Sequence, residues 1–132
     1  MKYELWTDGS CFKDHHTHSD GPCGSGMVCV EADSNKIQFL LGEYIGIQTN
    51  NFAEFKAIEI GREEIKERFQ IDEALDIEVS SDSKMAVNVL SGTWNTEKDH
   101  ILEVVERIQE LEEELGVVIR YQWVKAHIGV HY

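Results

Sequence analysis

Trp6-Thr7-Asp8-Gly9-Ser10 decides the fold: it closes an alternating run, Tyr3, Leu5 and Thr7, on an acid followed by a glycine. Apolar residues at period two mark a strand with one buried face. A second run, Leu75, Ile77 and Val79, ends in the same manner on Ser81-Asp82-Ser83. Between them, Thr49-Asn50-Asn51-Phe52-Ala53-Glu54 opens a segment of helical period. If the two runs are neighbouring parallel strands, Asp8 and Asp82 end in one crevice and Glu54 enters it from the helix start. Gathered carboxylates repel one another, and a hard divalent cation with oxygen ligands is the least costly way to keep them ionised. These residues therefore predict a magnesium site.

Outward from that stretch, residues 2–10 form the first strand, Phe12 to Pro22 is a polar loop, and Gly21 to Gly26 reads as a turn. Met27–Val30 and Ile37–Leu41, separated by the polar cluster Glu31–Asn35, read as a hairpin. After Gly46, Thr49 or Asn50 caps a helix that turns Phe52, Phe55, Ile58 and Ile65 inward and ends near Phe69. Leu75–Ser80 is the fourth strand, followed by a helix from Ser83 that Gly92 stops. Ile101, Val104, Val105, Ile108, Leu111 and Leu115 recur at three and four residues, predicting a long helix over 97–115. Val117–Val124 is the last strand, and Lys125-Ala126-His127-Ile128-Gly129 leaves the sheet. This order predicts an α/β fold: one five-stranded mixed sheet in the order 3-2-1-4-5, with helices on both faces. Ligands of such sheets bind beyond the carboxyl ends of the strands, where Asp8 and Asp82 fall.

A chain of 132 residues with 42% apolar content fits a single folded domain over 1–132. No run approaches a membrane span, and the strand pattern begins directly after Met1 and Lys2, so no signal peptide is read and a cytoplasmic location is expected. Cys11, Cys23 and Cys29 are odd in number and clustered, which predicts free thiols. The formal charge of −13 excludes a generic polyanion binder, because phosphate affinity normally comes from clustered Lys and Arg. Nucleic-acid contact must then be local, with Lys84, Lys125 and Lys13 as candidates. The acidic stretches Glu59–Glu73 and Glu97–Glu114 read as solvated helix faces.

Four motifs in order, Asp8-Gly9-Ser10, Asn50-Asn51-Phe52-Ala53-Glu54, Asp82-Ser83 and Val124-Lys125-Ala126-His127, resemble the ribonuclease H family, type 1. The resemblance implies a ribonuclease H-like fold and endonucleolytic hydrolysis of the RNA strand of an RNA–DNA hybrid by two-metal-ion catalysis. Magnesium is the implied cofactor, with manganese as substitute. In such chemistry one ion lowers the pKa of the attacking water and the other stabilises the leaving oxygen. By resemblance, Asp8 bridges the ions, Glu54 and Asp82 flank it, and His127 relays protons, for which a pKa near ~6.5 suits it. Ser10, Cys11 and Thr49 fall where the family meets substrate backbone, where a 2′-hydroxyl contact distinguishes RNA from DNA, and Gly9 and Ser83 are counted with them as substrate-binding residues. Asn50 and Asn51 are assigned to sugar edges and a phosphate, Trp94 to the DNA strand, and Lys84 and Lys125 to phosphates. Each has a plainer reading: Asp8 as a turn former, Glu54 as a first-turn helix acid, and Asp82 as a helix cap. The Asn pair also suits capping, while Cys11 and Trp94 suit a core.

His15, His16 and His18 with Cys11 and Cys23 carry zinc-type ligands, but their spacing matches no standard site, so a solvated loop is the better reading. The family's basic helix and loop have no counterpart, since Gly92 runs through Trp94 directly into Glu97. The resemblance also places a fourth carboxylate on a helix about ten residues beyond the loop histidine, whereas the sequence stops at Tyr132. That difference leads us to expect a truncated or naturally short member, impaired catalysis, and self-association through an uncovered C-terminal region. The rival readings are a catalytically silent nucleic-acid-binding or interaction module of the same fold, and another nuclease of that fold.

Overall fold

Alternation along Tyr3, Leu5 and Thr7 becomes β1 (Lys2–Cys11), in which Tyr3, Leu5, Thr7 and Gly9 are buried. The computed structural model describes residues 2–11, 21–69, 76–92, 99–115 and 118–125. Within them β1 is followed by β2 (Gly21–Glu31), β3 (Ile37–Gln48), α1 (Asn50–Arg68), β4 (Asp76–Ser81), α2 (Lys84–Leu90), α3 (Asp99–Leu115) and β5 (Val118–Trp123). The strands form one five-stranded sheet in the order β3-β2-β1-β4-β5, as the sequence predicts. β1, β2 and β3 pair antiparallel, whereas β4 runs parallel to β1 and β5 parallel to β4. Thr7 lies opposite Ser81 in the parallel register, so Asp8 and Asp82 follow at the same level.

Leu5, Cys29, Ile77 and Val79 meet Phe55, Ile58 and Ile65 of α1, Ala86 and Val89 of α2, and Ile101, Val104 and Ile108 of α3 in one apolar cluster. The described helices all join this cluster, so the helical cover described lies on this face of the sheet. Each fully buried aliphatic side chain contributes about 1.5–3 kcal/mol relative to exposure. Gly61 lets α1 lie close on β1, because a Cβ there would stand 2.8 Å from Leu5 Cδ2.

α3 has the expected two faces, with Ile101, Val104, Val105, Ile108 and Leu111 buried and Glu103, Glu106, Glu110 and Glu113 exposed. α1 differs. It lies between the sheet and α3, so Glu59 and Arg62 are buried and the expectation of a solvated face beginning at Glu59 fails at that residue. Lys56 Nζ meets the Glu59 carboxylate at 2.6 Å and offsets its burial.

The turn expected over Gly21 to Gly26 is instead the first half of β2, paired to Asp8–Cys11 on one side and to Gly42–Gln48 on the other. Gly and Pro read as turn residues from composition, but pairing on both flanks overrides local preference. Small side chains also suit the place, since Ser25 Oγ donates to the Ala53 carbonyl at 2.8 Å where α1 crosses. Cys29 is a buried free cysteine, and burial pushes its thiol up to about 12. Cys23 is disulfide-bonded, so the expectation of uniformly free thiols does not hold. Among the described residues no helix is long and apolar enough to cross a membrane.

Candidate metal centre

The centre is assembled by the ends of β1 and β4 and the first turn of α1. Gly9 permits the approach: a Cβ there would overlap the Ala53 carbonyl and the Glu54 nitrogen, which only glycine avoids. The Gly9 N–H in turn donates to the Glu54 carboxylate. Thr49 caps α1, its Oγ1 accepting from the Phe52 N–H at 3.2 Å. Ser83 caps α2, its Oγ accepting from the Ala86 N–H at 3.1 Å, so the capping alternative for Asp82 falls away. The result is that one carboxylate oxygen from each of Asp8, Glu54 and Asp82 lies within 4.8 Å of the others.

Glu54 is pushed up to about 9, first by burial, then by the negative charges of Asp82 and Asp8 and a hydrogen bond with Asp82; the Gly9 N–H opposes the shift. Its Oε2 is buried without a hydrogen-bond partner. A buried acceptor lacking a donor is costly, and one more negative charge beside two others compounds the cost. A cation bound among these oxygens removes both penalties. The all-oxygen donor set fits hard ions such as Mg²⁺ or Mn²⁺.

Trp6, Leu40, Ser80, Val124 and Lys125 line an open cleft with Asp8 and Asp82. A second, shallower cleft passes from Asp8 over Ser10, Gly24, Gly26, Glu43 and Tyr44. Ser10 and Asn50 are exposed at its margin and at the start of α1, and Asn51 is half-buried one residue on. Lys84 and Lys125 are both exposed on the Asp82 side. Cys11 ends β1 opposite Cys23, and its side chain is outside the described set. His127, Trp94, Lys13 and the histidines at 15, 16 and 18 also lie outside the described residues.

Sequence reasoning missed two contributors. Ser25, hidden in the apparent turn, ties β2 to the first turn of α1. Trp123 donates its indole N–H to the Asp82 carbonyl at 3.1 Å, and Lys84 Nζ stands 5.3 Å from its ring centroid. The available signal was an aromatic two residues before Lys125 on a strand parallel to that of Asp82.

A family model described as RNase H matches residues 1–132. The bifunctional protein Rv2228c of Mycobacterium tuberculosis is 30% identical over 104 residues, 79% of this chain and 27% of that protein. The chain thus spans about a quarter of the length of the curated relatives it matches. Among solved structures, RNase H1 from the halophilic archaeon Halobacterium salinarum superposes with a TM-score of 0.81 at 25% identity, over 96% of this chain and 87% of that one. The N-terminal RNase H domain of Rv2228c gives 0.80 at 27% identity, over 94% and 87%. LC11-RNase H1 in complex with RNA/DNA hybrid gives 0.83 at 21% identity, over 94% and 86%, a likeness of fold.

Proposed function

We propose, from the premise that the chain belongs to the ribonuclease H family, that it hydrolyses the RNA strand of RNA–DNA hybrids at the Asp8–Glu54–Asp82 cluster. The observation carrying this reading is the convergence of three carboxylates, Asp8 and Asp82 from strand ends and Glu54 from the first turn of α1, in a group that includes no cation among the described residues and has Glu54 Oε2 buried inside it. The hybrid held by the like-folded LC11 enzyme supports the substrate class.

Asp8, Glu54 and Asp82 are the residues that would hold Mg²⁺ or Mn²⁺, with Asp8 central. Bound ions of this kind, acting as a pair, polarise a phosphoryl oxygen and lower the pKa of water. The chain's own groups do the rest. Thr49 and Ser83 use their oxygens as caps, so each keeps a hydroxyl proton to offer a phosphate oxygen. Ser10 and the amides of Asn50 and Asn51 reach sugar and phosphate, and a contact to the 2′-hydroxyl selects RNA. The Gly9 N–H steadies Glu54 once it ionises. Gly9 and Cys11 bring backbone to the substrate, Lys84 and Lys125 meet phosphates, Trp94 meets the DNA strand, and His127 carries the leaving-group proton.

Incubation with an end-labelled RNA–DNA hybrid in Mg²⁺ or Mn²⁺ tests the reading. The RNA strand is cut internally, and Asp8→Asn removes the activity. An uncut hybrid under both metals with native circular dichroism, or cleavage of duplex DNA in its place, overturns it.

A further inference from the structure

Lys84 differs from most described cations in how its charge is held. Lys56, Arg62, Lys66, Arg68, Arg107 and Arg120 each form an ion pair with Asp or Glu. Lys84 instead stands over the ring of Trp123, 5.3 Å from its centroid. An aromatic face attracts an ammonium without cancelling its charge, so the cation is ordered and still available to an anion. An acid partner would have neutralised it.

Trp123 is itself fixed at the carboxylate cluster. Its indole N–H donates to the Asp82 carbonyl at 3.1 Å, and the adjacent Val124 N–H donates to the Ser81 carbonyl at 3.0 Å. The end of β5 is therefore bound to the chain segment that carries Asp82 and, two residues later, Lys84. Trp123 remains 44% exposed, so it does not serve chiefly as core.

We infer that Trp123 is a positioning residue for hybrid hydrolysis: its ring presets Lys84 as a phosphate contact and its N–H fixes the main chain at Asp82. The inference rests on the proposed ribonuclease activity and deepens it. A preset lysine loses less side-chain freedom when a phosphate arrives, so the ring acts on substrate affinity. The N–H acts on the placement of a carboxylate, so it acts on turnover.

The test is anisotropy binding of a labelled hybrid to the full chain made non-cleaving by Asp8→Asn, across a salt series. Lys84→Met and Trp123→Leu each reduce the slope of log Kd against log salt by about 1, and the double substitution reduces it no further. Trp123→Phe keeps the ring and the slope. In the Asp8 chain, Trp123→Phe lowers kcat with KM unchanged, and Lys84→Met raises KM with kcat unchanged. A residue that served the fold alone would lower Tm and leave the slope and the kcat–KM division as they were. If Trp123→Leu fails to fold, slope retention in Trp123→Phe together with slope loss in Lys84→Met is the required pattern, and any other overturns the inference. Additive losses, or a full slope in Trp123→Leu, overturn it while the activity stands. A parent chain that neither binds nor cuts the hybrid overturns the activity and the inference together.

Discussion

Two clusters among the described residues draw ionisable groups away from water in opposite ways. At the strand ends, Asp8, Glu54 and Asp82 bring like charges within 4.8 Å. Between α1, α3 and β5, Arg62 Nη2 donates to Glu112 at 3.0 Å and to the Tyr121 hydroxyl at 2.6 Å, while Tyr121 also bonds Glu112. Both regions contain buried atoms without hydrogen-bond partners: Oε2 in Glu54, and Nε and Nη1 in Arg62. An unpartnered atom therefore does not distinguish a ligand site from a structural knot. The sign of the local charge does. Arg62 and Glu112 neutralise each other, and burial raises the Tyr121 pKa so that its proton stays available to Glu112. The acid cluster has no such balance within itself and calls for a cation.

The sharpest way to break this contrast is to remove one charge from each region. Asp8→Asn is expected to slow hybrid cleavage by at least on the order of 10²-fold, the scale of losing one preorganised electrostatic contact to a transition state. Its thermal midpoint without metal is expected to hold or rise, because a repulsion is relieved. Single-turnover cleavage and a melt without metal decide it. Arg62→Met should do the reverse. Cleavage per folded molecule is kept, and stability falls by about 3 kcal/mol in urea unfolding, the low end for breaking a buried pair because Glu112 is 27% exposed. Replacing Arg62, Glu112 and Tyr121 together with apolar residues of matched volume should restore much of that loss.

Glu54 sharpens the contrast through pH. Its carboxyl is pushed from 4.5 in its ordinary state to about 9 in the fold, so the native chain holds a proton there that the unfolded chain releases. Stability from this group is fully present below about 4.5 and is lost as pH rises toward about 9. Glu54→Gln is expected to flatten the fall in thermal midpoint between those limits in metal-free buffer. Adding Mg²⁺ to the wild type should restore stability at the alkaline end, where the ion has no proton to displace. An equally steep fall in Glu54→Gln would show that the proton resides elsewhere.

The parts of this picture that were legible in the sequence are those with a local signal. α3 declared itself because its polar face meets water, and the acids at the ends of β1 and β4 because alternation stops there. β2 was half hidden. Gly21-Pro22-Cys23-Gly24-Ser25-Gly26 has turn composition, and only pairing to two neighbours makes it a strand. α1 was legible as a helix but not in its burial, since Glu59 and Arg62 are covered by partners far along the chain. Trp123 was legible only as an aromatic two residues before Lys125, because the contacts that give it meaning, to Asp82 and Lys84, cross about 40 residues.

The smallest expected effect tests whether water explains the difference between paired charges inside and outside. Arg120 bonds Asp76 at 3.2 Å and Glu78 at 3.0 Å, a pairing as complete as that of Arg62, yet its side chain is 44% exposed. In high dielectric the attraction is screened, and holding a long side chain costs entropy, so Arg120→Ala should change stability by no more than about 0.5 kcal/mol. The measurement is urea unfolding at low and high salt, with the small loss shrinking as salt rises. A loss matching that of Arg62→Met would mean that pairing, not burial, sets the cost. The contrast between the knot and the acid cluster would then have to be drawn on geometry alone.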